Sequence, residues 1–477
     1  MLPRESIGKY ILSAILALLL AGCSTGSAGQ PATLSTNPSR LPDPDEVKEL
    51  LVQLVDVEKR TPGIVVGMIA DDPQESWVVG YGRLSDTDER VPDGYTVFEL
   101  ASVGKVFTGV LLAQAVVKGE VQLDDSISMY LPEGVTAPEY EDQSITLLDL
   151  ATHTSGLPWS GIEPKHSSYT LDQMYDFLSE VRLTRAPGSS YSYSGFGMGL
   201  LGNLLVREAG VADYEALLVD RITGPLGMDS THIVLTPEMR SRLAPPHRGY
   251  SLPAPSLDAP TFAGAGAGLR STANDMLTFL AANMGLAETE LQPALLLANT
   301  SQRPSYGNAT IGLGWKIPGW SFMIGDSKSG IPGNTVRYHG GGNPGYSTYL
   351  AWDPEAKVGI VVLANASYRS VDMDQVVRLL LSKLPFTLGK DAPKDLTSYA
   401  GRYQDLDGNI VTFRVDGTRI FIQLPTEPEY ELFASSESHF FMPASDLEIT
   451  FYKNDRGEVD RVVGVVEGIT YEAIKLP

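Results

Sequence analysis

The sequence predicts an α+β fold: an antiparallel sheet of five or more strands, flanked by helices and split by a helical insertion, followed by a small all-β C-terminal barrel. Three observations point there. Strand-like apolar runs stand at 64–70 and 77–84 and again from 335 to 364, so both ends of the first part of the chain supply strands. Helical periodicity fills the stretch between them. Beyond residue 393, short alternating runs are separated by Asp-Gly, Pro, Ser-Glu and Arg-Gly turn signals. A chain of 477 residues exceeds what one core usually organises, and two domains are expected, 43–388 and 393–477.

The first residues lie outside that fold. Arg4 and Lys9 precede an apolar run over 10–21, too short to span a bilayer and of the size of a secretion-signal core, so 1–22 reads as a signal peptide. It ends in Leu20-Ala21-Gly22-Cys23, which resembles the lipobox of bacterial lipoproteins. The resemblance implies cleavage before Cys23, lipidation of its thiol, and anchoring to a membrane of the bacterial cell envelope, on its periplasmic or extracellular face. Cys23 is the sole cysteine, so an internal disulfide, a cysteine nucleophile and a cysteine metal site are all excluded. Residues 23–42, rich in Ser, Thr, Pro, Gly and Ala, bury too little apolar surface to fold and read as a tether.

Order begins at Asp43-Pro44, an N-cap followed by proline in the first helical turn, with Val47, Leu50, Leu51, Leu54 and Val55 at helical spacing. After the strands at 64–70 and 77–84, helices are expected over 103–117, 171–181, 199–209, 214–222 and 271–284. Strands resume at 311–317, 335–339, 346–352 and 358–364, and a helix over 371–384 closes the unit. The first and last helices would cover one face of the sheet and the insertion the other. In the C-terminal part, strands are expected at 410–415, 419–424, 429–433, 439–442, 448–453 and 462–467, a meander curled into a barrel.

Composition narrows the function. With 58 acidic against 36 basic residues the formal charge is −22, the wrong sign for a nucleic-acid partner. The six histidines are scattered, without a His-Glu-x-x-His pair, so no metal site is visible, and neither a phosphate loop nor a dinucleotide fingerprint appears; no cofactor is expected. The one Gly-x-Ser-x-Gly-like spacing, Gly22 to Gly26, straddles the signal cleavage site without a strand before it.

The stretch "FELASVGKVFTG", 98–109, carries more. Ser102 and Lys105 are spaced i, i+3, which on a helix sets their Cβ atoms about 5–6 Å apart. A serine hydroxyl becomes a nucleophile when a neighbouring base takes its proton, a task to which a desolvated lysine contributes, and the helix N-terminus offers N–H groups to an oxyanion. The spacing alone does not distinguish this from a solvated surface lysine: it recurs at Ser6 to Lys9, inside the signal.

Two further segments do. Together with Ser102-Val103-Gly104-Lys105, "PGSSYSYSGFGMGLLG" (187–202) and "RYHGGGNPGYSTYLAWDP" (337–354) resemble the three signatures of the serine β-lactamase and penicillin-binding-protein clan, in the branch of class C β-lactamases, DD-peptidases and family VIII esterases. The context "LATHTSGLP" (150–158) and "GEVQLDDSISMYLP" (119–132) is similar too, and the C-terminal part, opening "SYAGRYQ" at 398, resembles the barrel appended to many members.

The resemblance implies the β-lactamase/transpeptidase-like fold, with Ser102 as acylated nucleophile, Lys105 as its basic partner and Tyr193 as the proton-shuttling phenol, Tyr191 being the competing candidate. It places substrate along His339, Gly340 and Gly341, and an oxyanion hole in the N–H groups of Ser102 and Gly342. His153 is expected to be structural. Two positions depart from the pattern: Gly195 stands where relatives carry asparagine, which favours a broader acyl substrate, and His339 stands where class C enzymes carry lysine. The histidine would then recognise a substrate carboxylate only when protonated, with pH dependence near 6 to 7. The expected activity is hydrolysis of D-alanyl cell-wall peptides or β-lactams through a Ser102 acyl-enzyme; the alternatives are a carboxylesterase and a penicillin-binding sensor or scaffold without turnover.

Overall fold

Among the described residues an eight-stranded antiparallel sheet organises the larger part of the chain, and one of its strand pairs joins segments from opposite ends of that part. The structure, a computed structural model, describes residues 41–71, 75–159, 170–254, 260–305, 309–317, 336–354, 357–368, 370–371, 373, 376–377, 380, 395–405, 408–417, 419–424, 429–434, 437–441, 448–454, 456–466 and 469–476. The expected signal peptide, Cys23, most of the expected tether and much of the expected helix over 371–384 lie outside the described residues. Two compact units result, Arg40–Thr387, and Leu388–Met442 with Asp446–Pro477.

In the first unit, strand β1 (Gly63–Ile69) lies between β2 (Ser76–Gly82) and the strand Val358–Ala364. The sheet continues through Ser347–Asp353, Arg337–Gly342, Lys316–Ile317, Thr310–Ile311 and Arg303–Pro304. β1, Ser347–Asp353 and Val358–Ala364 are buried along their full length, so their residues alternate between two cores rather than between core and water. On one face Ile64, Val66, Met68, Ile360 and Val362 pack with Val47 and Leu51 of helix α1 (Pro44–Val52) and with Val376, Val377 and Leu380. On the other, Val65, Ile69, Val361 and Leu363 meet Leu277, Phe279 and Leu280 of the helix Ala273–Asn283 and the helical insertion behind it. Each such side chain contributes roughly 1.5–3 kcal/mol by burial.

Local signals set the helix ends. Asp43 accepts the Asp45 N–H at 2.8 Å ahead of Pro44, and Thr146 and Thr170 form capping boxes with Asp149 and Gln173. Two expected elements differ. The helix placed at 199–209 runs over Gly195–Ala209, because Ser194 caps it by accepting the Gly197 N–H at 2.9 Å. The expected strand 311–317 is two short strands joined by a turn, with Gly314 at φ +77° and the Gly312 N–H donating to the Trp315 carbonyl at 2.8 Å.

The second unit is a closed eight-stranded antiparallel barrel. Its interior is filled by Tyr399, Tyr403, Phe413, Phe440 and Phe451 in edge-on contacts, with ring centroids 4.9–5.9 Å apart. Two strands unnamed by the sequence pattern, Gly401–Asp405 and Ile469–Lys475, pair with each other and close the ring.

Candidate active site

Helix α2 (Gly104–Val117) is apolar on every side and is buried along nearly its whole length, as a helix without a polar stripe must be. Lys105 is therefore a charge in the interior, 2% exposed, and it needs partners. Its ammonium donates to the Ser102 Oγ at 2.9 Å and to the Ala265 carbonyl at 2.9 Å, and lies 5.0 Å from the centre of the Tyr193 ring. Ser102 sits in the 3-10 turn Ala101–Val103 that feeds α2, half-buried, directly after Ala101 at φ +48°. That left-handed residue costs about 1–3 kcal/mol, the kind of strain a functional turn holds.

Tyr193 is held by its neighbours. Ser194, the cap of the Gly195–Ala209 helix, donates its hydroxyl to the Pro158 carbonyl at 2.6 Å. The His153 carbonyl accepts the Ser192 N–H at 2.8 Å, its Nδ1 accepts the Ser194 N–H at 3.2 Å, and its ring lies 4.4 Å from that of Tyr193. His153 thus grips the residues on both sides of the phenol. It does so in a left-handed conformation, φ +57°, that the motif "ATHTSGLP" alone does not reveal. Tyr191 meets the edge of the His153 ring, 5.7 Å away, whereas the Lys105 ammonium lies over the Tyr193 ring. The structure brings Tyr193, rather than Tyr191, to the lysine.

Burial works against ionising the Tyr193 phenol, but the Lys105 ammonium, its hydrogen bonding with Lys105 and Ser102, and a second cation, Lys316, prevail and hold its pKa below the ordinary value. Lys316 was not singled out by the sequence. It lies in the strand Lys316–Ile317, paired with Tyr338 of the motif strand, and its ammonium is 5.4 Å from the Tyr193 ring centre.

The motif strand Arg337–Gly342 passes against the nucleophile turn. A Cβ on Gly341 would stand 2.2 Å from the Thr348 Oγ1, 2.3 Å from the Leu100 carbonyl oxygen and 3.2 Å from the Ser102 nitrogen, so only glycine allows this approach. Thr348 donates to the same Leu100 carbonyl at 2.7 Å, and Asn343, one residue past Gly342, donates to the buried Glu99 carboxylate at 2.7 Å. Strand and turn are tied on both sides of the place where the Ser102 and Gly342 N–H groups would converge. Gly340 has space for a methyl, its nearest neighbour being the Tyr349 ring at 3.6 Å.

His339 departs from its expected behaviour. It is 1% exposed, and its Nδ1 lies 2.7 Å from the Gly340 carbonyl, which can only accept, so Nδ1 carries the proton and Nε2 is bare. Burial first, then the Lys316 and Lys105 ammonium groups, push its pKa well below the imidazole range. Burial and the two ammonium groups thus work against the protonated form on which the expected carboxylate recognition by His339 depends. At position 195 a Cβ would stand 3.1 Å from the Trp159 carbonyl oxygen, which already accepts the N–H groups of Gly195 and Phe196 at 3.0 and 3.1 Å. The place of the missing asparagine is lined by backbone. Among the described residues no group of His, Cys, Asp and Glu is arranged to hold a metal ion.

Comparison with known proteins places the chain in a family. The model of the family described as Beta-lactamase matches residues 47–383. The chain is 30% identical over 378 residues to a beta-lactamase of Escherichia coli (strain K12), covering 74% of this chain and 93% of that protein. It is 30% identical over 317 residues to the D-alanyl-D-alanine-carboxypeptidase/endopeptidase AmpH of the same organism, covering 63% of this chain and 79% of the relative. Among solved structures it is similar to a beta-lactamase/D-alanine carboxypeptidase from Yersinia pestis, with 28% identity and a TM-score of 0.59 over 71% of this chain and 99% of that one. It is also similar to a class C beta-lactamase, with 25% identity and a TM-score of 0.63 over 72% and 96%. The matched span takes in the serine turn, the tyrosine and the glycine strand alike, and the chain belongs to the beta-lactamase family, as a serine hydrolase of the serine beta-lactamase and penicillin-binding-protein clan.

Proposed function

We propose that the protein is a cell-envelope hydrolase that acylates Ser102 with D-alanyl peptides or β-lactams and then releases the acyl group to water. The observation that carries this reading is the Lys105 ammonium 2.9 Å from the Ser102 Oγ, beside a phenol whose ionisation is favoured. Ser102 Oγ attacks the carbonyl carbon while its proton passes to the Tyr193 phenolate, and Lys105, donating to Oγ, steadies the developing charge. The N–H groups of Ser102 and Gly342 receive the oxyanion. On collapse the C–N bond breaks, Tyr193 returns the proton to the leaving nitrogen, and the acyl group stays on Ser102. Water then adds to the ester, giving its proton to Tyr193, and the acid leaves as Ser102 takes that proton back.

The names of the relatives, a beta-lactamase and a D-alanyl-D-alanine-carboxypeptidase/endopeptidase, support this substrate class. A carboxylesterase is the second reading, favoured by Gly195: position 195 offers no side-chain amide to bond a substrate's amide group. Anchoring through lipid on Cys23 completes the proposal.

The test is a substrate panel of a fluorescent penicillin, a chromogenic cephalosporin, a D-alanyl-D-alanine peptide and a short p-nitrophenyl ester, with Ser102→Ala as control. The expected result is labelling and turnover of the first three, lost in Ser102→Ala. Turnover of the ester alone selects the esterase, and a lasting label without turnover selects a penicillin-binding sensor. Equal reaction in Ser102→Ala removes the acyl-enzyme altogether.

A further inference from the structure

Two ammonium groups flank Tyr193, and they are placed differently. Lys105 is buried and its donors are engaged by Ser102 and Ala265. Lys316 is half-buried, and among the described residues neither a carboxylate nor a hydrogen-bond acceptor engages it. Its contacts are the faces of Tyr193, at 5.4 Å, and Tyr338, at 5.8 Å, which hold the cation over the cleft without neutralising it. Ser102 and Tyr193 are half-buried too, so these three groups form the accessible wall, whereas Lys105, His153 and His339 lie behind it.

Register explains how Lys316 reaches this point. It pairs with Tyr338, one residue before His339, so the edge of the strand that neighbours the motif strand delivers a cation at the level where the motif itself supplies a neutral, buried imidazole. The charge of Lys316 is felt by Tyr193, His153 and His339 alike.

We propose that Lys316 is the specificity-determining residue of the site, receiving an anionic carboxylate on the leaving-group side of the substrate from the strand next to the motif strand. The proposal rests on the Ser102 acyl-enzyme reading and adds to it the cation that His339 does not provide.

The probe is a pair of acylglycyl esters, one with 3-hydroxybenzoate and one with 3-hydroxybenzamide as leaving group, which differ in charge and little in reactivity. Both are tested on the full chain and on Lys316→Gln and Lys316→Arg, with melting temperatures confirming folding. In Lys316→Gln both esters slow as Tyr193 loses a neighbouring cation. The benzoate ester is expected to lose about 10- to 100-fold more in kcat/KM, mostly in KM, as removal of one charge-assisted hydrogen bond predicts. Lys316→Arg recovers most of that difference. Equal losses for the two esters, or no loss for either, overturn the proposal. The acyl-enzyme reading is judged separately: it stands if the benzamide ester is hydrolysed by the wild type and spared by Ser102→Ala, whatever Lys316 does.

Discussion

His153 and His339 are two imidazoles kept neutral inside the protein, each with its Nε2 buried and without a hydrogen-bond partner among the described residues. Burial is the larger cause of their lowered pKa, followed by the repulsion of Lys105 and Lys316. In the unfolded chain both take a proton near pH 6.5. Because the folded pKa is the depressed one, the stability they contribute is complete above about pH 6.5 and is lost as the pH falls below it, by roughly 1.4 kcal/mol per pH unit for each group. Denaturant titrations at pH 7.5 and 5.0 should show a less stable protein at the lower pH, and His339→Phe should flatten the difference; an unchanged pH dependence in that variant would count against a neutral His339. Ser102, Lys105 and Tyr193 were legible in the sequence as candidates because their spacing within two motifs is itself the signal. Lys316 was not, since a lysine at the end of an apolar run reads as a solvated strand end until the fold places it beside a phenol.

Between elements, the motif strand presses closely on the nucleophile turn. Gly341→Ala puts a methyl within 2.3 Å of the Leu100 carbonyl oxygen, so the strand and the turn must move apart, and with them the two oxyanion donors. A loss of at least about 100-fold in the rate of Ser102 acylation is expected, the scale of one lost oxyanion donor. Gly340→Ala, next to it, meets only the Tyr349 ring and should leave the melting temperature within about 2 °C of wild type. Calorimetry and stopped-flow labelling check the pair; similar melting and labelling for the two variants would show that the strand does not press on the turn. Continuous apolar runs revealed the long strands, Ser347–Asp353 and Val358–Ala364, almost to the residue. The apolar pattern failed at 311–317, where Gly314 reverses the chain, and at the barrel strand Gly401–Asp405, where Tyr403 is the one fully buried side chain and no pattern can repeat.

At the scale of the molecule, the −22 charge repels an anionic bilayer, and no helix among the described residues is long and apolar enough to cross one. The membrane attachment proposed for the protein is through the lipid on Cys23. The full-length protein is expected to sediment with membranes and to incorporate labelled palmitate, and Cys23→Ser to be released into the soluble fraction; an unlabelled wild type removes the anchor from the proposal. In the sheet β1 meets β2 at once, but its other neighbour, Val358–Ala364, joins Ile69 to Gly359 and Ile64 to Ala364, so that edge of β1 is paired only after nearly the whole unit has been made. Pairings this distant in sequence close slowly. A chain that emerges with that edge of β1 unpaired can complete the sheet only late in its synthesis, which fits the export that the proposed place in the cell envelope requires.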